Sequence, residues 1–148
     1  MKKIFAILIA SIILSGCTMG VVPNKSNLET ISIDNHEFQV EVRRTPDELA
    51  QGLSGRTEIG SDGMLFYLPQ RQVASFWMKD MLFAIDMVWI DDEKVVDISS
   101  NVPFPNPEVP LNKLPTYSPK QPVTLVLELD AGGAERFDIK IGSLVVLK

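Results

Sequence analysis

Three features of this 148-residue chain predict an all-β, mainly antiparallel fold. Apolar residues repeat with period two over short runs, turn residues separate those runs at close intervals, and helix signals are confined to two short segments. A parallel α/β sheet needs longer crossover helices than this chain supplies. The expected architecture is therefore a jelly-roll-like β-sandwich or barrel with one or two short helices.

The chain opens with a basic start, Met1-Lys2-Lys3, then a run from Ile4 to Leu14 that is apolar apart from Ser11, then Leu14-Ser15-Gly16-Cys17. A permanent transmembrane helix needs about 20 apolar residues, so this run suits the core of a cleavable signal. Small Ser15 and Gly16 fit a peptidase's narrow subsites, and the Cys17 thiol can be alkylated to a diacylglyceryl thioether. LSGC resembles the lipobox of bacterial lipoproteins. Residues 1–16 are read as the signal peptide, 17–29 as a flexible tether and 30–148 as a single β domain.

Within the domain, Ile31 and Ile33 share a face, Asp34-Asn35 turns the chain, and Phe38, Val40 and Val42 alternate with polar residues. This pattern predicts a hairpin. Thr45-Pro46-Asp47-Glu48 is a helix start with a capping box, and Gly52 ends that helix after barely two turns. Leu49 and Leu53 are spaced to seal one side of the core. Strands are expected at 63–67, 73–78, 85–90 and 95–99, with 91–94 forming a hairpin turn. Seven prolines between Asn101 and Pro122 mark a stretch that cannot be a ladder strand. A strand at 123–129, a helical turn within 131–137 and a last strand at 144–147 complete the domain.

The full chain carries a formal charge of -5, and removal of Lys2 and Lys3 with the signal leaves 12 basic against 19 acidic residues, or -7. Such a body repels phosphate backbones and anionic headgroups, which argues against nucleic acid as a partner and leaves acylated Cys17 as the membrane contact. Cys17 is the one cysteine and His36 the one histidine. No thiol nucleophile, disulfide or ordinary Cys/His zinc site is therefore available to the domain, and neither a metal nor a cofactor is expected.

The blocks GLSGRTEIGSDGMLFYL, SFWMKDMLFAIDMVWID and LVLELDAGGAERFDIKIGSLV resemble, in that order, the domain of unknown function 192 family. The resemblance covers roughly Phe38 to the C-terminus. It implies a compact, mainly antiparallel β-sandwich of jelly-roll type, often exported in bacteria, and it implies no biochemical activity. The chain departs from the family pattern at Asp80-Met81, where Asn-Thr is common, at Phe137-Asp138-Ile139, and at Ser143, where aspartate is common.

Asp86 is the most suggestive polar residue. Alternation puts it on the face of Val88 and Ile90, where a carboxylate needs a cation or several hydrogen bonds. Arg56, in the Gly-rich GLSGR segment, and Lys79 are the expected partners, either as a pair lining a ligand cleft or as a buried bridge pinning a loop. Trp77 alternates with Ser75 and Lys79, as a sugar-stacking surface would, although a core Trp with its N–H on a carbonyl is the commoner arrangement. Trp89 reads as packing. Tyr117, with Phe104 and Leu114, offers an anchor in the proline-rich stretch, which either binds or serves as a rigid lid.

These residues favour an envelope-anchored, non-catalytic lipoprotein that recognises a small molecule, a glycan or an envelope protein through Arg56, Trp77, Lys79, Asp86 and Tyr117. In a Gram-negative cell it would sit in the outer membrane facing the periplasm, and otherwise on the outer side of the cytoplasmic membrane. One alternative is an enzyme acting on glycans through Asp86 and a second carboxylate. Another is a Cu(I)-handling protein using Met64, Met78, Met81 and Met87.

Overall fold

Tight turns set the register of the sheet. The computed structural model describes residues 27–148; Cys17, the signal peptide and most of the tether lie outside the described residues. Strands β1 (Leu28–Ile33) and β2 (His36–Arg43) form the expected hairpin, with Ile33 opposite His36 and Asp34 at φ 49° in the turn. Asp and Asn tolerate this left-handed backbone better than bulkier residues do. Strands β5 (Ile85–Asp91) and β6 (Lys94–Val102) form another hairpin, in which Asp92 and Glu93 take positive φ and Asp91 faces Lys94.

Helix α1 (Pro46–Gln51) starts as its residues dictate. The Thr45 hydroxyl accepts from the Glu48 N–H, while the Glu48 carboxylate accepts from the N–H groups of Thr45 and Arg44. The segment containing α1 is a crossover, so β3 (Gly63–Gln72) runs parallel to β2. That pair is a departure from the antiparallel pattern. Two-residue strands β4 (Phe76–Trp77) and β7 (Thr116–Tyr117) pair apart from the main sheet. The strand expected at 73–78 thus shrinks to two residues, because β3 runs on to Gln72 through an irregularity that contains Pro69.

Strand β8 (Val123–Asp130), helix α2 (Gly133–Arg136) and strand β9 (Val145–Leu147) follow, and the proline-rich stretch contributes one 3₁₀ turn at Leu111–Lys113. The seven-stranded order is β6-β5-β8-β3-β2-β1-β9. This sheet curls until its two ends approach. Lys94 bridges Leu144, and the N–H groups of Val95 and Val145 donate to the carbonyls of Ser143 and Glu93. The architecture is an all-β, barrel-like curl rather than two equal facing sheets.

Each face of the sheet has its own core. Ile31, Ile33, Phe38, Val40, Leu65, Val88, Ile90, Leu127 and Val145 form the cluster on one face. Met64, Phe66, Met87, Trp89 and Val126 lie on the other, covered by Leu53, Ile59, Ala74, Met78 and Met81 from the connecting segments. Burying each such large apolar side chain contributes about 1.5–3 kcal/mol, which supplies stability without a cross-link. Trp89 is fully buried and donates its indole N–H to the Ser99 hydroxyl at 3.0 Å, as its packing assignment requires.

Candidate functional site

The second face is not purely apolar. Strand β8 reads Val-Thr-Leu-Val-Leu-Glu-Leu-Asp, and its alternation sends Leu125, Leu127 and Leu129 into the first cluster. Glu128 therefore projects with Val126 onto the second face, between its cross-strand partners Met64 on β3 and Met87 on β5. It is 5 % exposed, and Oε2 is buried with no hydrogen-bond partner. Burial pushes its carboxyl up to about 8, so at neutral pH the protonated form prevails.

Glu128 lines a cleft of about 420 Å³ that also reaches Leu53, Phe66, Phe76, Trp77, Met78 and Met81. Helix α1 and Gly52 form one wall. Gly52 has φ 47°, and a Cβ there would meet the Phe66 ring at 3.2 Å, so this wall depends on glycine. The opposite side comes from β4. Phe76 packs edge-on against both Phe66 and Trp89, at centroid distances of 5.3 and 5.6 Å. Trp77 is 50 % exposed at the rim, with the Lys79 ammonium 5.8 Å from its ring centroid. Among the described residues lining the cleft, Glu128 alone is ionisable in the physiological range.

The carboxylate one strand beyond Met64 is treated in the opposite way. Glu41 receives Arg56 at 2.7 and 3.0 Å and Arg43 at 2.6 Å. Burial alone would raise its pKa, but hydrogen bonds from Arg56 and Arg43 outweigh that effect and hold it below the usual carboxylate value.

The sequence-derived site residues separate in space. Trp77 stands at the cleft rim and Lys79 beside it. Arg56 does fold back over the sheet, but onto Glu41 rather than Asp86. Tyr117 pairs with Phe76 across the small sheet and packs on the second cluster, but does not line the cleft. Asp86 is on the other face of the sheet and 1 % exposed. It accepts from the backbone N–H groups of Asn101, Gly132 and Ala134 at 2.7, 3.2 and 2.9 Å, so neither expected cation is its partner. This correction has a simple cause: consecutive strand residues face opposite ways, and the Met87 face, not the Asp86 face, meets the cleft. A glycan-cleaving role for Asp86 loses its geometry with it. Asp97 is likewise engaged, accepting from the backbone N–H groups of Ile98 and Lys120.

The family model of domain of unknown function 192 (DUF192, Uncharacterized ACR) matches residues 29–147. The chain belongs to the DUF192 family. Two solved structures are similar to the chain. A protein of unknown function from Novosphingobium aromaticivorans is 31 % identical, with 80 % of this chain and 84 % of that one covered and a TM-score of 0.69. A Sinorhizobium meliloti protein, named only provisionally as a transcription regulator, is 27 % identical, with 81 % and 93 % covered and a TM-score of 0.70. No curated protein matches. Among the described residues of this DUF192 domain, no group of three or more His, Cys, Asp or Glu side chains could hold a metal ion, and no helix is long and apolar enough to cross a membrane.

Glu128 is not singled out by the sequence pattern. Its signal is an acid set between two leucines inside a largely apolar strand, one step out of phase with those leucines. The DUF192 fold also gathers Met64, Met78, Met81 and Met87 into the cluster around it, although they come from separate segments.

Proposed function

We propose that this DUF192 protein is an envelope-anchored, non-catalytic lipoprotein that binds a small molecule in the cleft beneath Trp77. The observation that carries the reading is a pocket-sized, largely apolar recess with an aromatic rim and one unsatisfied buried carboxyl. Ligand sites of roughly 300–1,000 Å³ have this make-up, with a few polar groups set in an apolar lining. The anchor rests on the order of basic, apolar and small residues before Cys17.

The apolar fluorophore N-phenyl-1-naphthylamine tests the cleft. Its emission should rise on mixing with the soluble domain, and Ala50→Trp, a change at an exposed position on the cleft wall, should suppress the rise. Equal enhancement in that variant would discard the cleft as the binding place. Cys17→Ser should move the full-length protein from the detergent phase to the aqueous phase of a Triton X-114 partition; unchanged partition would discard the anchor.

A second reading, Cu(I) held by thioethers, draws on the gathering of the four methionines, two of which line the cleft. Uptake of Cu(I) under reducing conditions that survives Met78→Leu combined with Met81→Leu would end it.

A further inference from the structure

The cleft's charge is one-sided, although neutral Gln51, Ser54, Gln72 and Ser75 also line it. Lysine and arginine are absent from its lining, whereas Glu128 stands at its base with an oxygen that has no partner. Sharing the cleft with that carboxyl are aromatic rings and thioethers: Phe66, Phe76, Trp77, Met78 and Met81. Aromatic faces attract cations, by about 0.5–2 kcal/mol each. An acidic protein body adds a favourable long-range field for the same sign of charge. The other charged groups near this face are already committed. Glu41 on β2 is paired with Arg43 and Arg56, Asp97 on β6 with Lys120, and Lys79 in the segment after β4 lies over Trp77 beside Asp80. Strands β3 and β5 place only Met64 and Met87 directly beside Glu128.

We infer that the cleft takes an organic ammonium ligand with an apolar or aromatic body, its cationic nitrogen paired with the Glu128 carboxylate and its body resting against Phe66, Phe76 and Trp77. This inference rests on the small-molecule cleft proposed above and names its ligand class. Glu128 is predominantly protonated in the free protein at neutral pH, so pairing with an ammonium releases that proton to solvent. The carboxyl O–H bond breaks, the proton passes to buffer, and the two charges pair in place.

Three probes that share a naphthalene body decide the matter by calorimetry on the soluble domain: 2-naphthylmethylammonium, neutral 2-naphthylmethanol and anionic 2-naphthoate. The ammonium should bind most tightly, and its affinity should rise about tenfold per pH unit between pH 6 and 7. Its binding enthalpy should vary with buffer as release of close to one proton requires. Glu128→Gln should weaken the ammonium at least tenfold at pH 8 while leaving the alcohol within twofold, which also shows that the variant keeps its cleft. Equal affinity for ammonium and alcohol would overturn the cation assignment and leave the cleft reading standing. Tighter binding of naphthoate, weakening as pH rises, would overturn it in favour of Glu128 as a hydrogen-bond donor. Binding of none of the three would overturn both readings together.

Discussion

Glu41 and Glu128 flank Met64 on the same face of the sheet, yet their carboxyls are driven in opposite directions. Two guanidinium groups hold Glu41 ionised, whereas Glu128 has only burial acting on it and keeps its proton to about 8. One face thus holds a mutually paired ion cluster and, one strand beyond Met64, an uncompensated acid. Structural use accounts for the first. The second has no structural partner, which is why it marks the site.

Stability should report Glu128 directly. The folded state holds its proton more tightly than the unfolded chain does. The contribution is therefore whole below the ordinary value of 4.5 and is lost as pH climbs towards about 8. Denaturant midpoints measured from pH 5 to 8 should show wild type losing up to about 1.4 kcal/mol per pH unit relative to Glu128→Gln. Parallel profiles for the two proteins would contradict the buried, unpaired state of Glu128.

Glu41→Gln should destabilise the domain by roughly 3 kcal/mol, since two largely buried guanidinium groups lose their counter-charge. In wild type the sign is the reverse of that for Glu128. Stabilisation by Glu41 is present above its ordinary value of 4.5 and disappears as pH falls through its lowered folded value. Acid unfolding of Glu41→Gln should accordingly be shallower than that of wild type.

Asp86 is a fastener between the β5–β6 hairpin and helix α2. Asp86→Asn presents an amide group where three backbone N–H donors converge and should cost roughly 3 kcal/mol in a urea titration. Binding of N-phenyl-1-naphthylamine to the folded variant should be unchanged, because Asp86 is on the far face of the sheet. A selective loss of probe binding would place Asp86 in the site after all.

The two tryptophans should be separable by quenching. Trp77 is half exposed and Trp89 is fully buried, so Trp77→Phe should remove most acrylamide-accessible emission while changing stability by only about 0.5 kcal/mol. A bound apolar probe should protect the same component in wild type.

Much of the architecture was legible because it is written in local rules. Thr45, Pro46 and Glu48 build the capping box, Asp34-Asn35 and Asp92-Glu93 make the turns, and Phe38, Val40 and Val42 alternate into the first cluster. The site was harder to read. Trp77 and Lys79 were recognisable from their own strand, but Asp86 was drawn to them by charge type alone. Which face of β5 meets the cleft depends on the curl of the sheet and on the crossover through α1, and neither has a local signature. Glu128 is silent for the same reason, since an acid in an apolar strand acquires meaning only when the residues opposite it prove to be Met64, Met87 and an open recess.

The carboxylate of Asp97 has a consequence beyond its own neighbourhood. It occupies the amide of Ile98 on β6, at the margin of the sheet where the β9 closure does not reach. Further along, Asn101 turns left-handed and the pairing with β5 is irregular. An incoming extended chain finds few outward donors in register there, which protects the rim against strand addition between molecules. Copies crowded together on a surface would resist stacking into fibrils through this margin.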